Sequence, residues 1–148
     1  MASWIMRRAQ ADRSRLEAVQ KGGALWEQVR QQMQNSVSEF NSLYADLPDR
    51  QAEYSETAGS VVVKLKTRPN VCTELHWDAA SARIRYAIAM QHYSQLAAES
   101  SIFGFGEPER EIHAEIDESG APCLKSAGQV IPPQDLVEAV LARVLFPA

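Results

Sequence analysis

Cys72, His76, His113 and Cys123 are the side chains of this sequence that could ligate zinc or pair a thiolate with a base. Their spacing speaks against both. Cys72 and His76 are four residues apart in a stretch that alternates like a strand, which separates their side chains by ~13 Å. Zinc draws each ligand to ~2 Å, so at most one of that pair could join a site with His113 and Cys123. A nucleophilic thiol needs a histidine held beside it and donors for an oxyanion, and no spacing in the chain specifies either. The cysteines lie 51 positions apart and form no C-x-x-C pair. Both are therefore expected to be free thiols, with no metal and no cofactor.

The carboxylates Glu107, Glu109, Glu111, Glu115, Asp117 and Glu118 crowd one segment in which Arg110 is the single base. Such a run could hold Mg²⁺ or transfer protons. It is expected instead to be a solvated strand face opposite Lys64, Lys66, Arg68, Arg83 and Arg85, where each cross-strand pair contributes ~0.2–1 kcal/mol. The aromatic residues Trp26, Phe40, Trp77, Tyr86 and Tyr93 could line a small-molecule pocket between helices and sheet, although core packing is the default use of such rings. Trp4 and Ile5, followed by Arg7 and Arg8, head a segment that carries five bases and two acids through Lys21, a net charge of +3. Its apolar face is too thin to anchor a membrane-surface helix. Trp4, Ile5 and Arg8 are thus expected to contact another subunit, the alternative being a frayed terminus.

These residues must be positioned by helices and strands that the periodicity places. Trp26, Val29, Met33, Val37, Phe40, Tyr44 and Leu47 recur at steps of three and four, an apolar arc of about 120° at helical pitch. This predicts a helix from Leu25 to Leu47. Ser3 to Lys21 is helix-prone without a clear buried face. Gly22-Gly23 predicts a break between the two, because each glycine costs ~1 kcal/mol inside a helix. Arg50 to Gly59 is polar and aperiodic and reads as a linker. Alternation then places Val61, Val63 and Leu65 on one face of a strand, Val71, Thr73, Leu75 and Trp77 on the next, and Ala82, Ile84, Tyr86, Ile88 and Met90 on a third. Gln91 to Ser101 suits a short helix, and Ile102 to Gly106 a loop. A fourth strand is expected over Glu109 to Asp117 and a short fifth near Cys123 to Lys125. Pro132-Pro133 opens a last helix, whose face is Leu136, Val137, Val140, Leu141, Val144 and Leu145.

Length and composition bound the class. The chain has 148 residues, 45% hydrophobic and 23% charged, which suits one globular domain able to bury roughly two-thirds of its unfolded surface. A net charge of −4 repels phosphate backbones, so nucleic acid is not an expected partner. No apolar run reaches the ~18 residues of a membrane span, and Met1 to Gln10 has no apolar core of signal-peptide type. The expected location is cytoplasmic.

The order helix, three antiparallel strands, short helix, two strands, helix resembles the layout of the small acidic secretion chaperones. The Ile112-to-Asp117 strand, the Ser119-Gly120 turn and the Leu136-to-Leu145 helix carry that resemblance, which implies a dimer that binds partner chains. The ending Pro133-Gln134-Asp135-Leu136-Val137 through Val144-Leu145-Phe146-Pro147 is similar to that of uncharacterised small bacterial proteins, including those on mobile gene cassettes, and implies no activity.

The sequence thus predicts a single α+β domain over residues 1–148. Residues 1–24 form a helical extension, and the helices over 25–47 and 133–145 cover one face of an antiparallel sheet of four to five strands with a polar, exposed opposite face. The expected function is a non-catalytic interaction module, homodimeric or bound to another protein. The alternatives are a small-molecule-binding protein or small enzyme with the aromatic pocket, and a partner-binding protein of secretion-chaperone type.

Overall fold

A computed structural model describes residues 3–89 and 110–146. Helix α1 spans Trp4–Leu43, capped by the Ser3 hydroxyl, which accepts the Met6 N–H at 3.2 Å. Trp26, Val29, Met33, Val37 and Phe40 form its buried face, the stripe read from the sequence. The helix ends four residues before the expected Leu47. Leu43 is 71% exposed, so the apolar period outruns the surface available to it, and the Leu47 N–H closes a turn on the Tyr44 carbonyl.

The expected break at Gly22-Gly23 is absent, and α1 runs through both glycines. A Cβ on Gly22 would lie 2.7 Å from Ala114 Cβ and 3.0 Å from the Trp77 ring. The glycine is there because the helix touches the sheet, and that contact outweighs its poor helix propensity.

Among the described residues seven strands, not four or five, form one antiparallel sheet in chain order: β1 (Ala52–Thr57), β2 (Ser60–Leu65), β3 (Arg68–Asp78), β4 (Arg83–Ala89), β5 (Arg110–Ile116), β6 (Pro122–Ser126) and β7 (Gln129–Val130). The 50–59 stretch expected as a linker follows a 3-10 turn at Pro48–Arg50 and carries β1. Backbone pairing with β2 and a side-chain clamp replace hydrophobic alternation in β1. The Asn41 amide donates to the Ala52 carbonyl at 3.0 Å, and its oxygen accepts the Ala52 N–H at 2.7 Å, as a neighbouring strand would.

Val61, Val63, Leu65, Val71, Leu75, Ile84, Ile88, Ile112, Ala114 and Leu124 project to the inner face and are buried there. Helix α2 (Pro133–Leu145) buries the six residues expected of it. It packs on β2, β3 and α1, while α1 packs on β1, β5 and β6. The outer face is not wholly exposed as expected, since Cys72 and Ala87 are buried at its centre. Met90, the expected helix over Gln91 to Ser101, the Ile102-to-Gly106 loop and the carboxylates of Glu107 and Glu109 lie outside the described residues. None of the described helices is long and apolar enough to cross a membrane.

Candidate functional site

Cys72, His76, His113 and Cys123 share the outer face but not a site. Register sets Cys72 opposite Lys64, His76 between Ser60 and Arg85, His113 between Arg83 and Lys125, and Cys123 opposite Glu115. No group of three metal-ligating side chains converges among the described residues. The Ser60 hydroxyl lies 2.7 Å from His76 Nδ1, a contact of the kind that activates a nucleophile. Ser60 sits on β2, however, between β1 and β3, where the ladders take up the backbone N–H groups that an oxyanion hole would need. The expected cross-strand pairing of charges is present at Arg83, which lies 2.6 Å from Glu111 and 3.6 Å from Asp78.

Burial pushes the Cys72 thiol up to about 11, with the charge of Glu74 adding to the effect and Lys64 opposing it. Relative to an ordinary thiol at 9.0, that is ~100-fold less of the reactive thiolate. In the native protein at neutral pH, a thiol-specific reagent is therefore expected to label half-buried Cys123 promptly and Cys72 only after unfolding. Two equally fast thiols would contradict this. At the sheet edge, Arg30 on α1 reaches Glu56 at 2.9 Å. Hydrogen bonds from Tyr54 and then Arg30 hold the Glu56 carboxyl below its usual range, while burial and the bond to Glu56 push Tyr54 up to about 12.

Of the aromatic residues considered for a pocket, Trp26 and Phe40 are in the core, and Trp77 and Tyr86 pack against it half-buried. Phe40 stacks edge-on with Phe146 at 5.6 Å. Tyr93 lies outside the described residues.

Trp4, Ile5 and Arg8 begin a different feature. Residues 4–17 of α1 are exposed at every position, a length of about 20 Å at 1.5 Å per residue. Trp4 is 65% exposed, Ile5 59% and Met6 64%. The Arg15 guanidinium reaches the Ala80 carbonyl at 3.4 Å and Lys21 the Gly120 carbonyl at 3.0 Å, which fixes the base of this arm on the turns at one end of the sheet. The exposed pairs Asp12–Arg15 and Glu17–Lys21 add only ~0.3–0.5 kcal/mol each. A helix of about 14 residues without a packed face is marginal in water, so the arm gains its order from continuity with the anchored part of α1.

A concavity lies between the two helices, a groove of about 470 Å³. Exposed Phe146 and the edges of the otherwise buried Val137, Leu141 and Leu145 give it an apolar wall, and Glu39 and Glu138 stand on its lining. The sequence held no sign of it. Its α1 side, Gln32, Asn35, Ser36 and Glu39, lies off the apolar stripe, and only the pairing of α1 with α2 makes those residues one bank of a groove. No family model, no curated protein and no solved structure matches the chain.

Proposed function

We propose that the protein is a non-catalytic interaction module that self-associates through the α1 arm. One observation carries this reading. A 40-residue helix leaves the domain with Trp4, Ile5 and Met6 in water at its tip, although among the described residues no side chain of the helix before Ala18 packs against the core. Large apolar side chains clustered at the end of a rigid element are typical of interface anchors, and tryptophan is enriched among residues whose loss costs 2 kcal/mol or more of binding.

Light scattering across a concentration series tests it. The wild-type mass is expected to double with concentration. A Trp4→Asp/Ile5→Asp variant should associate at least about thirtyfold more weakly, the equivalent of losing one anchor of ~2 kcal/mol. At a concentration where both proteins are monomeric its unfolding midpoint should match the wild type's, because exposed substitutions away from the core shift stability by less than ~0.5 kcal/mol and association no longer adds to the wild type. A wild-type protein that stays monomeric at high concentration, or a variant that associates equally well, would overturn the reading.

A further inference from the structure

We infer that the groove between α1 and α2 is the receptor for the arm of a second copy of this chain. The inference rests on the reading of the arm as the contact and adds where it docks. Three observations fit this occupant. The groove exposes the ring of Phe146 beside the edges of Val137, Leu141 and Leu145, which are otherwise buried, and its 470 Å³ falls within the ~300–1,000 Å³ of ordinary binding pockets, room for side chains such as Trp4 and Ile5. Its charged lining is acidic, at Glu39 and Glu138, whereas Arg7 and Arg8 follow the apolar tip of the arm. The complementarity extends to the whole chain: residues 1–21 carry +3 of a total of −4, which leaves −7 on the remainder. A basic helix end with an apolar head thus meets an acidic apolar groove, the helix-in-groove mode of recognition.

The arm cannot reach its own groove. The arm and the α1 bank of the groove belong to one unbroken helix, and Trp4 lies about 48 Å along its axis from Ser36 in the groove, at 1.5 Å per residue. Docking must therefore be between copies. Exchange of arms in both directions closes the assembly at two chains, whereas one-way docking would propagate into a filament.

Two sets of variants test the groove independently. Ala142→Trp fills it from an exposed lining position, and Glu39→Arg/Glu138→Arg reverses its charge. Each is expected to weaken association of the full chain by at least about tenfold, with far-UV circular dichroism and unfolding midpoint as controls for folding. Arg7→Glu/Arg8→Glu should weaken it similarly, and combining both charge reversals in one chain should restore it. Association that is lost in Trp4→Asp/Ile5→Asp but persists in folded Ala142→Trp and in the charge-reversed groove would overturn the groove as receptor and leave the arm as the contact. Failure of the combined reversal to recover would count equally against the groove. Association that survives the arm variant overturns both inferences.

Discussion

Met33→Ala should lower unfolding stability by about 2–5 kcal/mol, the range for truncating a large core side chain to alanine. Met33 is fully buried in the middle of the α1 stripe, between Val29 and Val37, and is among the largest side chains with no exposure. Truncation loses its transfer free energy and leaves a cavity that the surrounding strands can only partly fill. A domain of this kind is stable by ~5–15 kcal/mol in total, so the loss is a large fraction and shows as a reduced urea midpoint at constant slope. Met33→Leu, which nearly conserves volume, should cost less than ~1.5 kcal/mol. If alanine were tolerated as well as leucine, the stripe would not be packed as described.

Gly22→Ala and Gly23→Ala should move stability in opposite directions, although both replace a helical glycine by the best helix former. At Gly22 the new methyl meets Ala114 Cβ at 2.7 Å, and Ala114 is fixed to a sheet strand and cannot swing aside. Overpacking of ~1–3 kcal/mol exceeds the propensity gain of ~1 kcal/mol over most of that range, leaving a net loss of up to roughly 2 kcal/mol. Adding Ala114→Gly to Gly22→Ala should recover part of the loss, since the two positions share one contact. At Gly23 a Cβ meets nothing within 4 Å, so Gly23→Ala should gain ~0.5–1 kcal/mol. Thermal or urea unfolding of the two single variants decides it. A gain at both positions would mean that α1 does not touch the sheet at Gly22.

These two glycines also show what the sequence could and could not reveal. Propensity is a local property and argued for a break, whereas the close approach to Ala114 and Trp77 is a tertiary fact with no local signature. Strands β2 to β6 were legible because each buries one face and therefore alternates. β1 was not, since an edge strand is held by its ladder and by the Asn41 clamp, and its polar run Glu53, Tyr54, Ser55, Glu56 is the composition that keeps an edge from pairing with other chains. β7 has two residues, too few for any period. At the candidate site the arm left a trace, an apolar pair beside arginines on a segment without a buried face. The groove left none, because a surface made by two helices far apart in the chain depends on how they meet.

Self-association as proposed requires the arm to be a helix that another molecule of the chain covers. Amide hydrogen exchange over residues 4–17, compared well below and well above the concentration at which the mass doubles, measures this directly. Exchange should be fast in the dilute protein and markedly slower in the concentrated one, with the amides of residues 26–40 protected alike in both. Equal exchange across residues 4–17 at the two concentrations, while the mass doubles, would show that the copies meet elsewhere and would contradict the account.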